Sequence, residues 1–290
     1  MTERPSELRR ARALRDVLEP YHLVAIFAPQ AVEVFRGAGV DRPWGTYFAG
    51  RTAPLGAVPP SVVDALFYHF DPRLVHEEIP HIWAAATPEK LLAIRLEAVD
   101  AGLRALLGEE VLGSAAVAEA AALAVEAVAA CPPAGRPLGA ANAALPVPAE
   151  PHLALWHAVT VLREWRGDAH NAALLSAGLD AVEALVSIVA TGRENRRWLL
   201  ATRGWSEEVW EAAVRRLADR GLLTEDGELT DRGRELRDGV EDATDRLSAA
   251  PWQALGEERS RRLYELVAPL NAALMEQLKV RMTISAYPAS

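Results

Sequence analysis

Residues 156–175, WHAVTVLREWRGDAHNAALL, carry two histidines, two arginines, a glutamate and an aspartate on an otherwise apolar stretch. His157, Glu164 and Asp168 are spaced i, i+7 and i+11, which is one helical face if the helix is unbroken. Arg163, Arg166 and His170 form a second stripe by steps of three and four, and Gly167 is a candidate kink. Arginine offers a planar set of donors to an anion, and histidine can donate, accept or titrate near neutral pH. The pattern suits a ligand pocket. It equally suits an internal ion-pair network joining Arg163 or Arg166 to Glu164 or Asp168. If the pocket were catalytic, His157 and His170 would be its candidate acid and base.

A second cluster lies upstream. Tyr47, Phe48, Gly50, Arg51 and Gly56 form an unusual loop, followed by Tyr68, His69, His76, His81 and Trp83. Arg51 can anchor an anion or cap a helix, and the aromatics can line a cavity or fill a core, the expected role of Phe67 and Phe70. The candidate ligand-binding set is Tyr47, Arg51, Tyr68, His69, Arg163, Arg166, Asp168 and His170. No metal site is assigned. His76 and His81 are i, i+5 with Pro80 between, His157 and His170 are thirteen apart, and no H-E-x-x-H or Cys/His pattern occurs. Haem or metal held by histidines from different parts of the chain is the lesser alternative. No P-loop, dinucleotide fingerprint or nucleophile elbow is present.

The elements that must position these residues are mainly helical. Of the 290 residues half are hydrophobic and 24% charged, with alanine dominant. Ala115–Ala130 favours helix, and few runs are rich in β-branched residues. The single cysteine, Cys131, excludes an internal disulfide. Met1–Arg15 is polar and arginine-rich, unlike a signal peptide, and Val111–Cys131 is broken by Glu119 and Glu126, so a cytoplasmic protein without a membrane span is expected. The Pro/Gly-rich stretch CPPAGRPLGAANAALPVPAEP predicts a flexible linker. The expected division is a lobe over 1–135, a linker over 136–151 and a lobe over 152–290.

In the second lobe helical spacing covers Leu153–Arg166 and Ala172–Ala190, and Gly192 is a helix stop. Ser206 is a helix N-cap with Glu207 and Glu208 in the first turn, and Gly221 ends that helix. Leu222–Thr224 and Glu228–Thr230 flank Asp226-Gly227, a hairpin signal, and Thr230 or Asp231 caps the next helix. Residues 198–275 thus resemble the MarR-like winged-helix family, carried by Gly221-Leu222-Leu223 and Leu229-Thr230-x-x-Gly233-Arg234 around an acidic wing. The resemblance implies a recognition helix, a wing and a following helix.

The first half aligns weakly with the second. Val62, Ala65, Phe67, Phe70 and Val75 match Val209, Ala212, Val214, Leu217 and Leu222; residues 106–110 (LLGEE) match 254–258 (ALGEE); and Ala38-Gly39-Val40-Asp41 matches Ala177-Gly178-Leu179-Asp180. Chance in an Ala/Leu-rich chain is the competing account. The fold expected is mainly α: two tandem winged-helix-like lobes with small β-hairpin wings. The first is degenerate, because Asp71-Pro72 and Ile79-Pro80 do not suit a hairpin. The whole chain also resembles an actinobacterial helix-turn-helix-like family of poorly defined role, through YFAGRTAPLG (47–56), VVDALFYHF (62–70), LREWRGDAHNAAL (162–174) and RGWSEEVW (203–210).

Charge argues against DNA. The net charge is −9, and residues 206–228 hold seven acids against Arg215, Arg216 and Arg220. A helix and wing that meet phosphates need the opposite balance. The first-lobe equivalent shows Asp64, Phe67, Tyr68 and Phe70 and no cation. The basic segment Arg4–Arg15 is the remaining argument for nucleic acid, against a solvated, frayed helix. The expectation is a small-molecule-binding protein with its ligand, organic and suited to be anionic, held between the lobes. It would act as a pseudo-dimeric monomer or a homodimer. An enzyme using the same cavity and a MarR-type regulator are the alternatives.

Overall fold

The computed structural model describes residues 6–278 and 285–288. Among these residues the chain forms helices and no strand: α1 Ser6–Phe27, α2 Pro29–Gly37, α3 Gly45–Thr52, a 3-10 turn Ala53–Leu55, α4 Pro60–Leu66, α5 Pro72–Ala85, α6 Pro88–Leu107, α7 Glu109–Leu112, α8 Ala115–Ala129, α9 Pro137–Ala143, α10 Pro151–Ser176, α11 Ala181–Val189, α12 Arg196–Arg203, α13 Glu207–Asp219, α14 Asp231–Leu247, α15 Ala250–Leu255 and α16 Glu257–Leu278. Two compact units result. The first combines Met1–Ala57, His81–Asp168 and Asp245–Ser290; the second combines Val58–Pro80 and Ala169–Thr244. These units follow a different line from the 1–135, 136–151 and 152–290 division that the prolines suggest. The reason is local: a proline at the first position of a helix sacrifices no hydrogen bond, and Pro137 and Pro151 both stand there.

The stretch 136–151 is accordingly built into the first unit. The Arg136 guanidinium donates to the carbonyls of Trp165 (3.1 Å) and Leu247 (2.8 Å) and lies over the Trp165 ring. Gly139 touches the Trp165 backbone so closely that a Cβ there would sit 2.7 Å from the Trp165 Cα. In the same unit α1 packs along α16 and α6, α2 packs on α6, and α8 lies against α15 and α16. Leu14, Val17, Tyr21, Phe35, Phe48, Leu91, Leu103 and Trp156 fill its core. The start of α1 is therefore a packed helix and not a frayed one. Arg10 pairs with Glu257 and Arg12 with Asp245. Arg4 and Pro5, the first residues of the basic segment, lie outside the described residues.

The second unit is centred on Leu174, Leu179, Leu185, Leu199, Trp210, Ala213, Leu217 and Leu222. Here the single helix expected over 172–190 is two. Gly178 takes a positive φ of 65°, the Leu179 N–H turns back to the Leu174 carbonyl, and Asp180 with Glu183 forms a reciprocal capping box for α11. α13 starts from the Ser206 side chain as expected, and Trp210, Ala213 and Leu217 are its buried stripe. After Gly221 the chain makes a tight turn. The Thr224 N–H bonds the Glu228 carbonyl and the Thr230 N–H the Leu222 carbonyl, with one antiparallel bridge, Leu223 to Leu229. Two pairings are too few for a strand, so the expected β-hairpin wing is reduced to this turn. Its counterpart in the first half is absent. Asp71-Pro72 instead starts a helix: the Asp71 carboxylate accepts the Arg73 N–H (2.8 Å) at the head of α5, and Ile79-Pro80 lies within it.

Two of the matched sequence pairs share their backbone. Gly39 (φ 88°) and Gly178 end helices with the same return bond, Val40 N–H to the Phe35 carbonyl in the first case. Gly108 and Gly256 both have φ 80° and both precede a Glu-Glu helix start. The third pair differs, because Val209–Leu222 runs mostly through α13 whereas Val62–Val75 crosses the break between α4 and α5.

The Leu-Thr-x-x-Gly motif has a physical basis. The Thr230 hydroxyl donates to the Gly221 carbonyl (2.8 Å) and accepts the Gly233 N–H (3.0 Å), closing α14 onto the turn. A Cβ at Gly233 would lie 2.1 Å from the Leu222 carbonyl oxygen, whereas one at Gly239, on the exposed side of the same helix, would meet nothing. Urea unfolding of Gly233→Ala is expected to show a loss of about 1–3 kcal/mol. Gly239→Ala is expected to gain about 0.4–1 kcal/mol. Equal effects in the two variants would contradict the motif's assignment.

Candidate functional site

Within the first unit, α1, α3, α6 and α10 bring a set of charged side chains into the core. α10 is unbroken at Gly167, so the expected face holds. Glu164 is 1% exposed and receives a two-pronged bond from Arg51, Nε to Oε1 and Nη2 to Oε2, both 2.7 Å. Arg51 also donates to the Tyr47 hydroxyl. On the other side Arg163 donates to Glu164 (3.1 Å) and to Glu19 of α1 (3.5 Å). Burial alone would push the Glu164 carboxyl up, but Arg51 and Arg163 together hold it well below the usual carboxylate range. The same competition, won by Arg163 and Arg15, sets Glu19 at about 2.

Beside this ion-pair chain is a cavity with room for about one water molecule. Tyr47, Arg51 and Glu164 line it, together with His22, Arg95 and Trp156. The His22 Nδ1 lies 3.0 Å from the Thr160 hydroxyl, and burial with the neighbouring Arg163 lowers its pKa to about 3, so the ring is neutral. Arg95 donates to the Gly50 carbonyl (2.9 Å) and the Asn142 side-chain oxygen (3.1 Å), and its guanidinium lies over the Trp156 ring. Burial lowers the Arg95 pKa to about 10, which leaves it charged at neutral pH.

The candidate residues named from sequence divide between the units. Tyr47 and Arg51 line the cavity, and Arg163 is in the ion-pair chain. Arg166 is turned to Asp245 (3.2 Å). Asp168 accepts the Gly139 N–H (2.9 Å), and burial raises its pKa to about 6. His157 is buried beside Arg95, with a pKa lowered to about 4 by that burial, and it does not line the cavity. Tyr68, His69 and His170 belong to the second unit. The Tyr68 hydroxyl donates to the Leu179 carbonyl, the Trp205 indole donates to the His69 carbonyl, and His170 meets the Thr244 hydroxyl (3.0 Å). The His69 and His170 rings pack edge to face, 6.2 Å between centres. Among the described residues no three His, Cys, Asp or Glu side chains converge in a way that could hold a metal ion. Burial pushes the Cys131 thiol up to about 12, which keeps it un-ionised.

Sequence reading missed His22, Arg95, Trp156 and Glu19. One signal was available. Leu91, Ile94, Ala98, Val99 and Leu103 form the buried stripe of α6, and Arg95 is a lone cation within it.

In the second unit several outward charges on and around α12 and α13 form ion pairs. Arg196 pairs with Glu207 and Glu211, Arg216 with Asp180 and Glu183, and Arg220 with Glu183. Trp198 stands exposed beside Arg203.

The buried groups set the acid sensitivity of the fold. Glu164 and Glu19 are held down, so their contribution is complete above about pH 4.5 and is lost as the pH falls towards 2. His22 and His157 stay neutral in the fold, while the unfolded chain protonates them near 6.5, so stability also falls from that pH downward. Asp168 acts oppositely: held up at about 6, it favours the fold as pH drops from 6 towards 4. The urea midpoint is expected to fall between pH 7 and pH 4, less steeply in His22→Gln. A flat or rising midpoint would contradict the neutral burial of the histidines. Glu164→Gln is expected to lose about 3–5 kcal/mol at pH 7, because Arg51 is left buried without its counter-charge.

A family model described as a helix-turn-helix family matches residues 11–281. No curated protein and no solved structure matches the chain.

Proposed function

We propose that this chain, which belongs to that helix-turn-helix family, is a small-molecule-binding protein in which the DNA-gripping use of the fold has been given up. The observation that carries the reading is the cavity of the first unit, where Arg95, His22, Tyr47 and Trp156 meet the Arg51–Glu164 pair. The space takes about one water, which suits an ion or the head of a larger molecule, and of its lining residues Arg95 Nε and His22 Nε2 are buried without hydrogen-bond partners. The cavity draws residues from both halves of the sequence but lies inside one compact unit.

The finer architecture belongs to the same reading. Residues 198–275 are read as a MarR-like winged helix with a shortened wing. The matched glycine turns at Gly39 and Gly178, and at Gly108 and Gly256, support an old duplication, so that one chain mimics a dimer or pairs with a second copy. The protein is read as working in the cytoplasm. Among the described residues no single helix is long and apolar enough to cross a membrane.

The loss of DNA binding is supported by where the arginines go. A recognition helix needs its cations for phosphates and base edges. On and around α12 and α13, Arg196, Arg216 and Arg220 are engaged by carboxylates, Arg197 and Arg215 stand exposed, and Glu208 and the Glu225–Glu228 turn add further negative charge. In mobility-shift assays at physiological salt we expect only non-specific association, ~10⁻⁶ M or weaker. Native mass spectrometry of the freshly purified chain is expected to show a bound small molecule. Nanomolar, salt-sensitive and sequence-specific DNA binding, with no small molecule bound, would establish the regulator instead.

A further inference from the structure

We infer that the cavity of the first unit is a site for a single negative charge, a halide ion or the carboxylate head of an organic molecule, held between the Arg95 guanidinium and the His22 Nε2–H. The inference rests on the ligand-binding reading and specifies its charge and its atoms.

Arg95 is 3% exposed, and among the described residues no carboxylate stands within ion-pair distance of it. Its two acceptors, the Gly50 carbonyl and the Asn142 amide oxygen, are neutral, and its Nε is buried with no partner. The Trp156 face compensates part of the charge but accepts no hydrogen bond from Nε. Buried charges are normally paired; the Glu164 carboxylate favours the Arg95 cation from a distance but is bonded to Arg51 and Arg163, so Arg95 has no counter-charge in contact.

His22 is 2% exposed, and its Nε2 also has no partner. Its tautomer follows from Thr160. That hydroxyl has only the His22 Nδ1 beside it, and a buried hydroxyl whose proton met no acceptor would be penalised. Thr160 therefore donates to Nδ1, which leaves Nε2 carrying a proton with nothing to receive it. Arg95 and His22 line the same cavity, which thus presents unmet donors, while the one carboxylate on its wall, Glu164, is filled by Arg51 and Arg163. The charge balance of the lining agrees. Arg51 and Glu164 cancel, and Arg95 leaves one positive charge. A monoanion neutralises it, whereas a dianion overshoots and a cation doubles it. The water-sized space admits a halide or one carboxylate oxygen directly.

The test is thermal unfolding of the full chain in chloride-free buffer, titrated with sodium bromide, formate or benzoate against sodium sulfate of equal ionic strength. We expect a saturable rise in melting temperature with a monoanion and none with sulfate. The saturable rise should vanish in Arg95→Met and move to about tenfold higher concentration or beyond in His22→Phe, which serves alone if Arg95→Met does not fold. A response to bromide identifies an inorganic anion as sufficient; a response to the carboxylates alone identifies an organic head group; either supports the site. No saturable response to any monoanion, or the same response in both variants, overturns it. A neutral or cationic molecule found on the purified protein would overturn this inference while leaving the small-molecule reading intact. Saturable bromide binding with no organic molecule bound would do the reverse.

Discussion

The two-pronged bond between Arg51 and Glu164 is the constraint on which the first unit depends. Neither group tolerates burial alone, so α3 and α10 must meet at one register. Arg163 extends the pair to Glu19 and so ties in α1. Three helices distant in sequence are thereby held around one point. An apolar core would join the same helices with less cost from desolvation, but with less demand on how they are aligned. The cavity lies beside this pair.

That space is chemically lopsided. Every carboxylate oxygen near it is occupied, while a guanidinium Nε and an imidazole Nε2 are not. The burial that lowers the pKa of Arg95 and His22 affects them differently: Arg95 stays charged and His22 stays neutral, so the pair offers a positive charge and a directed donor at neutral pH. In the second unit, by contrast, Arg196 and Arg216 are paired with carboxylates on the surface.

Much of the local structure was legible in the sequence. Alanine content marked α8, periodicity and caps marked α13 and α14, and the spacing of His157, Glu164 and Asp168 put them on one face of α10, where all three are buried. The prolines misled, because a proline at a helix start and a proline in a linker look alike until the next turn is seen. The wing misled because Asp-Gly predicts the turn and not the length of the strands beside it. Within the ion-pair alternative, Arg163–Glu164 was foreseeable from adjacency. The destination of Arg166 at Asp245, the use of Asp168 by the Gly139 N–H, and the convergence of His22 and Arg95 depend on which helices pack together. Periodicity tells which face of a helix is buried and not what lies opposite, so those partners could be read only from the folded chain.

The most direct test of the central claim is an anomalous difference map from crystals grown without chloride and soaked in sodium bromide. The account predicts a peak in the first-unit cavity within hydrogen-bonding distance of both the His22 Nε2 and the Arg95 guanidinium. A featureless cavity, with bromide found only at the surface, would contradict it.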